Sequence, residues 1–139
     1  CNRFVEDQDD AMWERLAEQV ETNNVHLTVH LGDQIYADHI PGEQEESEGY
    51  CGTLARFRRY YAISWGHSSA ERVLRKSANC MLPDDHEVAN NFAAAMWDPT
   101  FFSDGVTAAE ASDEDRRHQF LARAGIQAFF EYQAQLTHE

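Results

Sequence analysis

Val25-His26-Leu27-Thr28-Val29-His30-Leu31-Gly32-Asp33 decides the architecture. Apolar side chains alternate there with His or Thr, the period-2 pattern of a β-strand. Gly32 ends the run and leaves Asp33 at its C-terminal tip. Upstream, Asp9 or Asp10 can cap a helix to about Val20 or Glu21, with Trp13, Leu16, Ala17 and Val20 on one stripe. Thr22-Asn23-Asn24 separates that helix from the strand.

Downstream, Pro41 to Gly52 is acidic and contains glycine, which reads as a solvated loop. Leu54 to Trp65 is aromatic and basic, and reads as a helix. Ser68 and Glu71 form a capping box for a short helix through Arg75. Ser77 to Leu82 is a second short apolar strand, ended by Pro83. Glu87 to Met96 is a helical turn or a shaped loop, and Pro99 to Asp113 is a loop. A last helix runs from about Asp113 to Leu136, with Leu121, Ala124, Ala128, Tyr132 and Leu136 in phase. Helix, strand, helices, strand, helix predicts α/β layering with parallel strands in one domain over residues 1–139. No internal repeat interrupts it.

Bulk properties narrow the function classes. A net charge of -14 argues against general nucleic-acid binding, which needs basic surface. It leaves phosphate chemistry open, because bound cations reverse the local field. Cys1, Cys51 and Cys80 show no C-x-x-C spacing and cannot all pair, so no disulfide framework is expected. No stretch is long and apolar enough to span a membrane, and no leader is visible. The chain starts at Cys1 and its last helical pattern nearly reaches Glu139 without a glycine stop, so it reads as a piece of a longer protein. The compartment is left open.

Chemistry-bearing residues gather at the strand tips, where open α/β sheets collect their sites. Asp33 occupies one tip, and Asp84 and Asp85 the other. Carboxylates so placed can share two cations roughly 3.5–4 Å apart, suited to holding a phosphoryl group. A bare Gly-Asp also serves as a turn, and acidic residues also favour a helix N-terminus. Tyr36 adds a hard phenolic oxygen, or else packs half-buried. His86 can act on a leaving oxygen. Asn90 and Asn91 can add amide oxygens for a hard cation or simply form a turn. Cys1 is a soft ligand or a buried thiol, while Cys51, in the loop, and Cys80, in the strand, read as structural. His26 and His30 read as ordinary sheet histidines. Arg56, Arg58 and Arg59 can contact a phosphate but read first as a solvated helix face with salt bridges, and Phe129, Phe130 and Tyr132 as core.

The opening Cys1-Asn2-Arg3-Phe4, the segment HLGDQIYAD, the block Arg58-Arg59-Tyr60-Tyr61, DDHEVANNF and the closing AFFEYQAQL appear in this order. With them the chain resembles the alkaline phosphatase D (PhoD-like) family of calcineurin-like metallophosphoesterases. HLGDQIYAD and DDHEV are the specific pair. The resemblance implies an α/β fragment of a two-sheet β-sandwich flanked by helices, a partial catalytic domain whose C-terminal part is missing. It implies a ferric ion with calcium, or another two-metal set. It implies Cys1 as thiolate ligand, Asp33 as bridging aspartate, Tyr36 as phenolate on iron, and Asp85 in place of the asparagine ligand of the GNHE motif. His86 falls on that motif's histidine, which helps the leaving group depart, and Asp84 has a supporting position. Pro83 departs from the apolar or aromatic residue common before DDHE. Later aspartate and histidine ligands are expected beyond Glu139. The implied activity is hydrolysis of phosphate mono- or diesters by the parent protein, this piece being inactive alone. An inert metal- or ligand-binding module on the same fold, and a purely structural α/β domain, are the alternatives.

Overall fold

The computed structural model describes residues 10–36, 45–93 and 113–133, with side chains over 10–36, 49–93 and 119–133. Among these residues the elements are α1 (Ala11–Thr22), β1 (Leu27–Leu31), α2 (Glu45–Gly66), α3 (Ser68–Lys76), β2 (Ala78–Leu82) and α4 (Asp113–Tyr132). β1 and β2 pair in parallel, from Leu27 opposite Ala78 to Leu31 opposite Leu82. A parallel pair requires a crossover, and α2 and α3 supply it. The mixed α/β class is as expected. The described sheet has two strands, and a second sheet is not seen among the described residues.

The helices build two cores. Trp13, Ala17 and Val20 of α1 pack with Ala70 and Val73 of α3. Phe57 and Tyr61 of α2 pack with Ala124 and Ala128 of α4, joined by Ile35 and Leu54. Tyr61 stacks on Tyr132 at 4.8 Å between ring centroids. Burying a ring such as Phe57 contributes about 1.5–3 kcal/mol relative to leaving it in water. Arg58 donates to both carboxylate oxygens of Glu131 at 2.7 and 2.6 Å. That pair is exposed, so it ties α2 to α4 without adding much stability. It matches the salt-bridged helix face expected for the arginine block. Tyr132, read as core, packs half-buried against this cluster, whereas Phe130 at the end of α4 is exposed.

Three local details depart from the sequence reading. Helix α2 begins at Glu45, inside the stretch read as a loop, and breaks at Gly49 (φ 57°, ψ -164°). Glycine adopts such a conformation without a Cβ penalty. Cys51 therefore lies on a helix, and its thiol is exposed. The cap of α3 is His67 rather than Ser68: its Nδ1 accepts from the Ala70 N–H at 3.4 Å. The stretch read as a loop at Pro99 to Asp113 lies almost wholly outside the described residues.

The His67 cap has a pH signature. Burial holds its pKa below the usual histidine value, partly offset by Asp10 at 3.8 Å. In the unfolded chain histidine titrates near 6.5, so below that pH the unfolded state binds the extra proton. The stability from a neutral His67 is present above about pH 6.5 and is lost as pH falls through the lowered value. Urea midpoints at pH 7.5 and 5.5 should differ modestly in the wild type, and less in His67→Asn. Equal pH dependence in both would exclude this cap as the source.

Alternation in β1 gives two faces. The polar one faces the helices. His30 Nε2 lies 3.0 Å from Asn79 Oδ1, and Thr28 Oγ1 lies 2.7 Å from Ser77 Oγ. Trp13 stacks over His30. These polar groups satisfy one another across the strands, so their burial costs little. Leu27, Val29, Leu31 and Leu82 point the other way and are exposed.

Candidate metal centre

Both strand tips end at the same point. After β1 the chain turns through Gly32 (φ 93°) and Asp33 (φ 54°). After β2, Pro83 and Asp84 lead into a turn in which Val88 N–H and Ala89 N–H both donate to the Asp85 carbonyl, each at 2.9 Å. The tips touch because Gly32 lacks a side chain: a Cβ there would lie 2.4 Å from Asp84 Cβ. Helix α4 presses on the second turn in the same manner. A Cβ on Gly125 would stand 2.9 Å from the Glu87 carbonyl oxygen.

This abutment gathers Asp33, Asp85 and His86. One potential ligand atom from each lies within 4.8 Å of the others. The Tyr36 hydroxyl donates to Asp33 Oδ2 at 3.3 Å, and its ring stacks on His86 with centroids 4.1 Å apart. His86 Nε2 lies 4.0 Å from Asp85 Oδ1, and both side chains are partly accessible. The Asn91 N–H donates to Asp85 Oδ2. Asn91 holds a positive φ of 59° and Asp33 one of 54°, a conformation that asparagine and aspartate tolerate better than most residues. Unusual backbone at both carboxylate-bearing turns fits a functional constraint.

Four of the residues singled out from sequence thus meet: Asp33, Tyr36, Asp85 and His86. Cys1 lies outside the described residues. Asp84 is exposed and contributes its backbone, not its carboxylate, to the junction. Asn91 acts as a turn residue through its N–H. His30 is a sheet histidine paired with Asn79, as expected. Cys80, read as structural, lies within β2 as expected, with its thiol free and exposed.

The sequence reading missed Glu87. It is 1 % exposed and accepts hydrogen bonds from the backbone N–H groups of Asp33 (3.2 Å), Gln34 (2.6 Å) and Asp84 (2.8 Å). An acidic residue beside two others looks like surface. Only its fixed place after the strand tip hinted otherwise.

A family model described as PhoD-like phosphatase matches residues 1–135. The chain belongs to the PhoD-like phosphatase family. No curated protein and no solved structure matches the chain. The PhoD-like assignment spans both tips and every helix described above. No helix among the described residues is long and apolar enough to cross a membrane.

The donor set suits hard cations. Two carboxylates and a phenol are oxygen ligands, and an imidazole nitrogen stands beside them. Asp33 and Asp85 would repel each other at this range without a compensating positive charge.

Proposed function

We propose that this PhoD-like chain supplies part of a two-metal centre that hydrolyses phosphate mono- or diesters. The observation that carries the reading is the meeting of Asp33, Tyr36, Asp85 and His86 between two parallel strand tips. Asp33 and Asp85 would hold the cations, with Tyr36 as the phenolic donor to the harder one and Cys1 as a thiolate donor. Ferric iron with calcium is the favoured pair, and another two-metal set is the alternative. When bound, the cations supply charge neutralisation at the phosphoryl oxygens and activate the attacking water.

The chain's own groups do the rest. His86, stacked on Tyr36 and only partly accessible, is held so that its ring can present a proton to the leaving oxygen. The ring contact restricts imidazole rotation, which favours one approach to the substrate. The exposed apolar side of the sheet, formed by Leu27, Val29, Leu31 and Leu82, has the character of a surface that a second sheet covers. That supports the two-sheet sandwich as the fold of the whole catalytic domain.

Metal removal tests the function. Dialysis of the full-length protein against a chelator should lower hydrolysis of bis(p-nitrophenyl) phosphate or p-nitrophenyl phosphate by about 100-fold or more. Adding back iron and calcium should restore it. Activity that survives complete demetallation would sink the proposal. Cation uptake with no turnover of either ester would favour an inert binding module.

A further inference from the structure

β-Ladder pairing ends at Leu31 opposite Leu82, so the sheet does not set the distance between Asp33 and Asp85. Something beyond the sheet must. We propose that Glu87 is the positioning residue that fixes the separation of the two ligand-bearing tips, an inference that rests on reading Asp33 and Asp85 as ligands.

Its carboxyl group is shared between them. Oε2 accepts from Asp33 N–H at 3.2 Å on the first tip and from Asp84 N–H at 2.8 Å on the second. Oε1 accepts from Gln34 N–H at 2.6 Å. The bond to Asp84 spans three residues and resembles an ordinary turn cap. The bonds to Asp33 and Gln34 cross more than fifty residues of sequence and have no capping explanation. Both oxygens face backbone donors, so Glu87 acts through the backbone of Asp33, Gln34 and Asp84 and is not itself a ligand.

The side chain is held in turn from α4 and α2. Gln133 Nε2 donates to Glu87 Oε1 at 3.4 Å and to the Tyr61 hydroxyl at 2.9 Å. Gln133 thereby links the α2·α4 core to the junction. Glutamine at position 87 would keep the volume but replace one acceptor by an NH2 group. With the NH2 at the Oε2 position a donor would face the Asp33 and Asp84 N–H groups and the second tip would lose its anchor; at the Oε1 position it would face the Gln34 N–H and the first tip would lose one of its two bonds.

Terbium luminescence reads the consequence without any turnover. Tb3+ is a hard cation that oxygen donors bind, and a phenol within a few ångströms of it sensitises its emission. Tyr36, bonded to Asp33, is the built-in antenna. The full-length protein would be titrated with Tb3+ as wild type, Glu87→Gln and Val73→Ala. Val73 lies in the α1·α3 core, and its truncation lowers stability without touching the tips. Glu87→Gln should weaken Tb3+ binding by about 10- to 100-fold, as loss of supporting bonds around a metal site does. Val73→Ala should change it less than about twofold. A folded Glu87→Gln protein that binds Tb3+ as tightly as wild type overturns the inference.

Amide hydrogen exchange on the wild type separates its failure from that of the metal reading, and covers a Glu87→Gln protein that does not fold. The Asp33, Gln34 and Asp84 amides lie outside the ladder, yet should exchange slowly with or without cation. Fast exchange at these three refutes the clamp. Slow exchange in a wild type that shows no Tb3+ emission keeps the clamp between the tips and removes the metal reading instead.

Discussion

Gly32→Ala should lower the unfolding free energy by roughly 2–5 kcal/mol and abolish the proposed cation uptake. Two independent costs add. At φ 93° an L-residue with a side chain is strained, by about 1–2 kcal/mol. The new methyl would also meet Asp84 Cβ at 2.4 Å, its N at 2.9 Å and its Cα at 3.2 Å. None of these is the tip of a flexible side chain, so the second loop itself must move, at about 1–3 kcal/mol. That movement pulls the Asp84 N–H from Glu87 and carries Asp85 away from Asp33. Urea unfolding should show a lower midpoint with an unchanged slope. A midpoint equal to that of the wild type would mean that the tips do not touch as described.

Asp33→Asn separates chemistry from folding. Asparagine accepts a φ of 54° as readily as aspartate, so the turn persists. Its N–H still reaches Glu87, because that bond belongs to the backbone. The change removes one negative oxygen from a cluster whose carboxylates lie within 4.8 Å. Without metal, that relieves repulsion, and stability should hold or rise. If Asp33 holds metal as proposed, a ligand would be lost, and phosphoester hydrolysis by the full-length protein should fall at least about 100-fold. Parallel urea curves and initial rates check both halves. Full activity in the folded variant would dismiss Asp33 as a ligand. Loss of activity together with collapse of the fold would mark it as a structural turn.

The strand tips were legible because both halves of the pattern are local. A period-2 apolar run followed by glycine and aspartate, or by proline and an acidic pair, reads directly as a tip. Parallel pairing, which the intervening helices imply, then puts both tips at the same end of the sheet. Local pattern failed where burial depends on remote partners. Glu87 looks like a third surface acid, and its partners are backbone groups of Asp33 and Gln34, which no side-chain pattern records. Alternation in β1 defined two faces but not which one turns inward, since the inner face is polar and satisfied by Asn79 and Ser77. The acidic run before Gly52 has a loop's composition, yet a helix begins within it at Glu45, with a break at Gly49. At α3, Ser68 has the better capping chemistry, but His67 sits one residue earlier, where the extended backbone lets its ring reach the Ala70 N–H.

Cys80 lies mid-strand in β2, opposite Val29, on the outward side of the sheet and with its thiol free. Nature has thus installed a chemical reporter in the middle of an oily surface. Its rate of alkylation by iodoacetamide in the intact protein measures how often solvent visits that surface. Rapid labelling would describe an open sheet, and slow labelling a sheet under cover, with no substitution needed to ask the question.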